Sequence, residues 1–265
     1  MKVLFYVNEK KANARQAALE LKALARSLGL DVVSRGEADT VIALGGDGTI
    51  LRAVRDYPAA ALLGFNLGSL GYLASVGADD FGRALELLAR GEYKVARRTL
   101  LAVRKAGSAA HALALNEVVV MREMTGHAAA LDLIADGTPV TRYTADGLVV
   151  ATPTGSTAYS LAAGGPVVMP DSHSFAITPM NPHALAVRPL VVSDRVRLEV
   201  VSRRRVNGVA EKIGVYADGE SVFMLDGDES VEIEKAREEA RFVELAGYDP
   251  YEVLGRKLGW SGSVT

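Results

Sequence analysis

The feature that most constrains the fold of this chain is an apolar run that leads directly into a glycine-rich turn. Residues 40–44 read Thr-Val-Ile-Ala-Leu, and the next five residues are Gly45-Gly46-Asp47-Gly48-Thr49. Three glycines let the backbone turn sharply and approach a ligand closely, and the stretch that follows offers helix N-terminal N–H groups to an anion. The pattern predicts a strand, a phosphate-binding turn and a helix. The alternative is an ordinary strand-to-helix turn in which Asp47 caps the helix.

The first third of the chain alternates short apolar runs with helical periodicity. Buried strands are predicted at 3–7, 32–33, 41–44 and 61–65. Helices are predicted between them, the first ending at Gly29, and another over 81–90. Strands that alternate with helices are typical of a parallel sheet, in which ligands lie beyond the carboxyl ends of the strands.

After residue 91 the pattern changes to short β-rich runs separated by turn residues. The Asp136-Gly137 pair predicts a tight hairpin between two of these runs. Further strands are predicted at 99–103, 118–121, 131–135, 140–143, 148–151, 196–201, 215–217, 222–225 and 231–233. Residues 250–258 are helical again and are expected to return to the first domain.

These patterns together predict an α/β plus all-β protein. We expect a Rossmann-like parallel α/β domain over 1–95 and an antiparallel β-sandwich domain over 96–246. A C-terminal helical segment over 247–265 is expected to pack on the first domain.

Charge and residue usage exclude several classes of function. A formal net charge of −2 over 265 residues gives no basic excess for nucleic acid or an anionic membrane. No apolar run has the length of a transmembrane helix, and the first one is too short for a signal peptide, so we expect a cytoplasmic location. The chain has no cysteine, and its four histidines match no zinc motif.

Two further segments carry candidate ligand-binding chemistry. Residues 144–166 crowd hydroxyl groups beside glycine after an apolar strand, and such groups suit ribose and amide recognition. A helix beginning near Ser156 would favour phosphate, although a Ser/Thr-rich turn with a capped helix is the alternative. The pair Asn116-Glu117 interrupts an apolar series. Because burying an unpaired carboxylate is costly, Glu117 lies either at a strand edge in water or against a ligand.

Taken together, these segments resemble the NAD kinase family, in the same order and over essentially the whole chain. The matching segments are 45–49, 66–71, 116–117, 146–166 and 257–260. The glycine–aspartate turn by itself is shared with lipid kinases and, more distantly, with phosphofructokinases. The resemblance implies an enzyme that uses ATP or polyphosphate and a divalent metal ion, expected to be Mg²⁺. It would phosphorylate the 2′-hydroxyl of the adenosine ribose of NAD to give NADP, as a homo-oligomer (dimer or tetramer).

The resemblance also implies residue roles. Asp47 would accept the proton of the ribose hydroxyl, and Gly45, Gly46 and Gly48 would lie around phosphate. The residues implied to grip the dinucleotide are Asn116, Glu117 and Asp146. The other implied nucleotide contacts are Thr49, Arg52, His127, Thr144, Thr157, Ala158, Tyr159, Ser160, Leu161, Ala162 and Glu220. Glu220 stands where the family frequently has glutamine, and no side chain is assigned to the metal ion.

Two other functions compete with this interpretation. A lipid or sugar kinase could share the Gly45–Thr49 loop, but it would have no use for Asn116-Glu117 or for the hydroxyl-rich residues 154–160. A non-enzymatic sensor of NAD or NADP would bind the dinucleotide, but it needs no acid such as Asp47 beside phosphate.

Overall fold

The structure is a computed structural model that describes residues 1–8, 12–68, 71–74, 76–123, 127–203 and 212–260. Contacts divide the chain into two compact units. The first comprises residues 1–97 together with the chain from 240 onward, and the second comprises residues 98–239. No helix of the described residues is long and apolar enough to cross a membrane.

The strands of the described residues are β1 (Lys2–Val7), β2 (Asp31–Val33), β3 (Thr40–Gly45), β4 (Ala61–Asn66), β5 (Tyr93–Lys105), β6 (His111–Ala114), β7 (Glu117–Arg122), β8 (Ala129–Ala135), β9 (Thr138–Ala145), β10 (Gly147–Ala151), β11 (Ser174–Met180), β12 (Leu190–Ser193), β13 (Leu198–Arg203), β14 (Ile213–Ala217), β15 (Glu220–Leu225) and β16 (Ser230–Leu245). The helices are α1 (Ala12–Ser27), α2 (Asp47–Asp56), α3 (Phe81–Arg90), α4 (Tyr159–Ala162) and α5 (Pro250–Leu258). Short 3₁₀ turns cover Ala78–Asp80 and Thr154–Thr157.

The first unit is built on a parallel sheet, as predicted. Its strand order is β2-β1-β3-β4-β16, and each neighbouring pair is parallel. Both β3 and β4 are buried along their whole length, which fits their uninterrupted apolar sequences. The expected burial at residues 32–33 was wrong, because β2 lies at the edge of the sheet and is only half-buried there.

Helix ends in this unit follow the sequence signals. The bounds of α3 match the predicted helix over 81–90, and Gly91 caps it with a left-handed φ of 73°. Gly29 follows α1 with a φ of 82°. Phe81 at the start of α3 stacks on Phe65 of β4 with the ring centroids 4.5 Å apart, which fixes the helix on the sheet.

The second unit is an antiparallel β-sandwich, as predicted. One sheet contains β6, β5, β16, β13, β8 and β9, and the other has the order β12-β11-β10-β7-β14-β15. Buried side chains of both sheets, among them Leu101, Leu131, Val150 and Phe175, share one hydrophobic core. The hairpin predicted at Asp136-Gly137 joins β8 to β9.

Candidate active site

Asp47 is the first residue of α2, and its carboxylate binds a backbone segment that follows β4. Oδ2 accepts the N–H of Tyr72 at 3.0 Å, while Oδ1 accepts the N–H groups of Leu73 at 3.1 Å and Ala74 at 3.0 Å. The N-cap position of α2 is Gly46, and no side chain of the described residues caps this helix. The alternative in which Asp47 caps the helix is therefore wrong, and the three N–H donors fix the direction of the carboxylate instead.

The glycines of this region are required for two different reasons. A Cβ on Gly45 would overlap a side chain of α2, and a Cβ on Gly71 would overlap the Asp47 carboxylate. Gly46 and Gly48 have open space where a Cβ would lie, and neither has a left-handed backbone. Packing explains Gly45 and Gly71 but not the other two. Close approach of a ligand to the backbone would account for Gly46 and Gly48.

Arg52 lies on the exposed side of α2, within the same unit as the glycine turn. Its side chain hydrogen-bonds the phenol of Tyr6, and the O–H of Tyr6 donates to Asp56 Oδ2 at 2.8 Å. Burial, and then the Asp56 carboxylate, raise the pKa of Tyr6. The Arg52 guanidinium is thereby held beside the end of β1, where it remains accessible to an anionic ligand.

In the second unit, Asp218 holds the Asn116-Glu117 segment. Its carboxylate accepts the N–H groups of Leu115 at 2.9 Å, Asn116 at 2.7 Å and Glu117 at 3.3 Å. Its own N–H donates to the Glu117 carbonyl at 3.1 Å. Asp218 lies in the tight turn between β14 and β15 with a φ of 48°. Asp218 was not predicted to be a site residue, although the Asp218-Gly219 pair between two strands is the sequence pattern of a tight turn.

Glu117 lies inside the sheet and not at an edge. It begins β7, which runs between β10 and β14, and only 7% of the residue is exposed. Among the described residues, its Oε2 atom is buried without a hydrogen-bond partner. The pKa of Glu117 is raised to about 7, by burial first and by the charge of Asp218 second, while the N–H of Tyr159 partly offsets both. The strand-edge alternative is therefore wrong, and the orphaned oxygen is a buried acceptor whose hydrogen-bonding capacity is unused within the described residues.

The turn after β10 is fastened to the same segment. Thr152 donates its hydroxyl to the Leu115 carbonyl at 2.6 Å, and its N–H binds the Asn116 carbonyl at 2.9 Å. The same hydroxyl accepts the N–H of Gly155 at 3.0 Å. A Cβ on Gly155 would overlap the Asn116 carbonyl, so the two segments are in direct backbone contact.

The helix expected to begin near Ser156 is broken into two short pieces. A 3₁₀ turn covers Thr154–Thr157, α4 begins at Tyr159, and Ala158 between them has φ −101° and ψ −126°. Ser156 turns inward, where its hydroxyl contacts the Pro153 carbonyl at 2.7 Å and the Val168 backbone. A helix of four residues gathers too few aligned peptide dipoles to act as an anion site.

Residues 157–162 divide between the surface and the interior. Tyr159 and Ala162 are exposed, with Tyr159 at 42%, whereas Thr157, Ala158 and Leu161 are half-buried. Ser160 is fully buried, and its hydroxyl pairs with that of Thr178 at 3.0 Å. The Ser160 side chain therefore supports the turn from inside, and the other five residues present the accessible surface.

Asp146 lies in a row of polar side chains across three neighbouring strands. Gly147 pairs with Met121 on one side and with Met180 on the other, which places the flanking Arg122 and Asn181 beside Asp146. Arg122 Nε donates to Asp146 Oδ1 at 2.8 Å, and Asn181 Nδ2 donates to Oδ2 at 2.9 Å. Asn181, then Arg122, lower the pKa of Asp146. Neither partner was identified from the sequence.

The remaining candidate residues lie on the surface of the second unit. His127, Thr144 and Glu220 are all exposed. The backbone carbonyl of Thr144 accepts the N–H of His183 at 2.9 Å. The Thr144 side chain takes no part in that contact. Within the described ranges, no group of three or more His, Asp or Glu side chains is arranged to hold a metal ion.

The chain matches two family models. Residues 28–93 match the ATP-NAD kinase N-terminal domain, and residues 115–245 match the ATP-NAD kinase C-terminal domain. Similar proteins named NAD kinase include one from Symbiobacterium thermophilum, 40% identical over 84% of this chain and 79% of its own length. Another, from Syntrophotalea carbinolica, is 36% identical over 85% of this chain and 79% of its own length.

Two solved structures share the fold. An NAD kinase from Archaeoglobus fulgidus in complex with ATP is 27% identical and superposes with a TM-score of 0.79, covering 98% of this chain and 99% of that one. A yeast NADH kinase complexed with NADH is 24% identical and superposes with a TM-score of 0.89, covering 100% of this chain and 89% of that one.

Proposed function

This chain belongs to the NAD kinase family, and from that membership we propose that it transfers the γ-phosphoryl group of ATP to the 2′-hydroxyl of the adenosine ribose of NAD. The products are NADP and ADP. The proposal is carried by one observation, which is the Asp47 carboxylate fixed beside a turn whose Gly46 and Gly48 are open to a ligand.

Asp47 is the proposed general base, and its hydrogen bonds indicate which oxygen acts. A carboxylate has about four lone-pair sites. Among the described residues, Oδ1 accepts two N–H groups, whereas Oδ2 accepts one, that of Tyr72. Oδ2 therefore keeps a lone pair that can take the proton of the ribose hydroxyl as the oxygen–phosphorus bond forms. The bond from the γ-phosphorus to the bridging oxygen breaks, and ADP leaves with that electron pair.

The glycine turn is proposed to hold the donor phosphates. The backbone at Gly46 and Gly48 offers N–H groups at the start of α2, where the helix dipole favours negative charge. Positioning of this kind, together with charge neutralisation, accounts for most of the rate enhancement in phosphoryl transfer. Arg52 on the same helix supplies a nearby positive charge.

The second unit is proposed to bind the dinucleotide. Asn116 and Glu117 are held by Asp218, and the orphaned Oε2 of Glu117 can exchange a hydrogen bond with a ribose hydroxyl. Asp146 accepts hydrogen bonds from Arg122 and Asn181 and retains acceptor capacity for an N–H or O–H of the ligand. The half-buried and exposed residues of 157–162 complete the proposed contact surface.

A divalent metal ion, Mg²⁺, is proposed to be needed for the reaction and to enter with the donor nucleotide. The described side chains do not form a metal cage, and Mg²⁺ usually binds through substrate phosphates and water with few protein ligands. When bound, the ion supplies charge neutralisation on the phosphates. Polyphosphate is a second proposed donor, since the turn would contact phosphate groups and not the adenine.

A homo-oligomer, a dimer or a tetramer, and a cytoplasmic location are further proposals. The resemblance between the sequence motifs and the NAD kinase family supports the homo-oligomer. The rival function of a lipid or sugar kinase is less well supported, because the family match extends over residues 115–245, which a shared glycine turn alone would not require.

The proposal is tested by incubating the purified protein with NAD, Mg²⁺ and either ATP or polyphosphate, and measuring NADP. NADP formation with ATP is the expected result. Diacylglycerol and fructose 6-phosphate serve as competing acceptors, and preferential phosphorylation of either would overturn the proposal. Tight NAD binding with no NADP formed under any donor would identify a sensor instead of an enzyme.

A further inference from the structure

The last helix of the first unit places a lysine against the segment that holds Asp47. Asp249 caps the start of α5 by accepting the N–H of Tyr251 at 2.8 Å, and Val253 and Leu254 are buried. Gly259 ends the helix in a left-handed conformation with a φ of 65°. Both ends of α5 are therefore fixed, and so is the position of the last turn.

Lys257, in that last turn, lies over the ring of Tyr72. Its Nζ atom is 5.6 Å from the ring centroid, within the range in which an ammonium group is attracted to an aromatic face. Lys257 is half-buried, so solvent screens this attraction less than it would at an exposed site. The contact joins the C-terminal helix to the segment that follows β4.

Tyr72 also contacts Asp47, through its backbone. Its N–H donates to Asp47 Oδ2, and the absence of a side chain on Gly71 lets the segment close around the carboxylate. Burial raises the pKa of Tyr72, and the Asp47 charge raises it further. A residue that holds the Tyr72 ring therefore also restrains the N–H groups that aim Asp47.

We propose that Lys257 is a positioning residue for Asp47, acting through the ring and backbone of Tyr72. The inference rests on the proposed function and extends it, because it gives the C-terminal helix a part in the reaction. Lys257 does not touch the substrate in this scheme. It keeps the Tyr72 N–H on Oδ2, so that the free lone pair of Oδ2 points in one direction.

Kinetics of paired variants test this role. Lys257→Met removes the ammonium but keeps the aliphatic stem, and we expect kcat to fall about three- to tenfold with both KM values within about twofold. Lys257→Arg should retain most of the activity, because a guanidinium also stacks on an aromatic ring. The matched control is Arg256→Ala, since Arg256 is exposed and pairs with Glu252 at 2.8 Å.

A double-mutant cycle separates positioning from direct contact with phosphate. Tyr72→Leu removes the ring, and the loss caused by Lys257→Met should largely disappear in that background, because the two side chains act as one unit. Tyr72→Phe keeps the ring and should keep the effect of Lys257→Met. Additive losses, or a rise confined to the KM for ATP, would overturn the proposal in favour of a phosphate contact.

Hydrogen exchange provides a readout that does not depend on turnover. The amides of Tyr72, Leu73 and Ala74 donate to Asp47, so Lys257→Met should speed their exchange while Arg256→Ala should not. Equal exchange in both variants would overturn the proposal. If the wild-type protein formed no NADP, the proposed function would fail while this measurement still tested the contact. Should Lys257→Met not fold, Lys257→Gln replaces it.

Discussion

Gly155 packs its backbone directly against the carbonyl group of Asn116. A Cβ at position 155 would overlap the carbonyl oxygen, the carbonyl carbon and the Cα of Asn116, all of them backbone atoms. The contact joins the turn after β10 to the start of β7, two segments that are 39 residues apart in the sequence numbering. The close approach explains why glycine is needed there, since the backbone φ is not left-handed.

Gly155→Ala is therefore expected to destabilise the protein by about 3 kcal/mol, the upper part of the range for inserting a group into a packed site. Backbone atoms cannot move aside as a flexible side chain can. Urea unfolding measures the change. Gly255→Ala is the matched control, because a Cβ there meets open space inside α5 and should stabilise the helix by up to about 1 kcal/mol. Equal stability of the two variants would contradict this account of the Gly155–Asn116 contact.

Gly48→Ala separates a ligand requirement from a packing requirement. A Cβ at Gly48 has open space, and alanine favours a helix over glycine by about 1 kcal/mol, so stability should be unchanged or slightly increased. The added methyl group would nevertheless obstruct a phosphate approaching the backbone, and we expect the KM for ATP to rise at least about tenfold. Thermal unfolding measures the stability of the variant, and initial rates at varied ATP concentration measure the KM. An unchanged KM would show that no ligand approaches this glycine.

Local signals in the sequence were sufficient to predict several elements. The bounds of α5 match the prediction because Asp249, Pro250 and Gly259 mark its ends. The hairpin at Asp136-Gly137 follows in the same way, since both residues have left-handed backbones, with φ of 47° and 77°. These signals involve only neighbouring residues, so no tertiary information is needed to interpret them.

Other strands were missed because tertiary pairing overrides local propensity. β11 contains Pro179, which opposes a strand assignment, and β16 extends over Ser230–Leu245 although only 231–233 was predicted. Much of β16 is charged, so residues 234–241 lack the apolar alternation that predicts a strand. Pairing with β13 near its start, with β4 near its end and with β5 supports the strand.

The motifs of the candidate site could be predicted from the sequence, but the residues that hydrogen-bond to them could not. Asp47 was identified from the glycine turn, whereas its N–H donors lie 25 to 27 positions away. Asp218 lies 101 to 103 positions from the amides it binds. Such long-range contacts follow from the order of strands in the sheets, which the sequence pattern did not specify.

Asp47→Asn is expected to lower kcat by about 10²–10⁴-fold, the usual contribution of a general base. Asparagine retains one acceptor oxygen, but its NH₂ group would face at least one of the N–H donors that Asp47 now accepts. A modest loss of stability, about 1–3 kcal/mol, should accompany the kinetic effect. Steady-state rates, NAD binding by calorimetry and thermal unfolding are to be compared. Near-normal kcat in a folded variant would remove Asp47 from the role of base.

Glu117→Gln is expected to change the pH dependence of stability. The pKa of Glu117 is raised from 4.5 to about 7, so between these values the folded protein binds more protons than the unfolded chain. The free energy of unfolding therefore falls as the pH rises through this window, by up to about 3 kcal/mol.

Glutamine is neutral at every pH, so the variant does not lose stability as the pH rises through this window. Relative to wild type, Glu117→Gln should be more stable at pH 8 than at pH 5, as measured by urea unfolding at both values. Glu220→Gln is a suitable control, because Glu220 is exposed and no buried carboxylate is altered. A stability difference that does not change with pH would show that Glu117 titrates as an ordinary exposed acid does.

Asn181 is expected to set the affinity for NAD through Asp146. Its amide donates to Asp146 Oδ2 and is the largest influence lowering the pKa of that carboxyl. Asn181→Gly removes the amide while tolerating the left-handed φ of 46° at this position, and we expect the KM for NAD to rise about three- to tenfold with little change in kcat.

Asn181→Asp replaces the neutral amide that donates to Asp146 with a carboxylate of nearly the same size. A second carboxylate beside Asp146 raises the pKa of that group and repels its charged form, so NAD should bind more weakly as the pH rises and both carboxyls ionise. Calorimetric titrations at pH 5 and pH 8 measure this trend. Arg122 still binds Oδ1 in both variants. If Asn181→Asp loses NAD binding at pH 8 but not at pH 5, charge repulsion is the cause. An equal loss at pH 5 and pH 8 would indicate a displaced backbone.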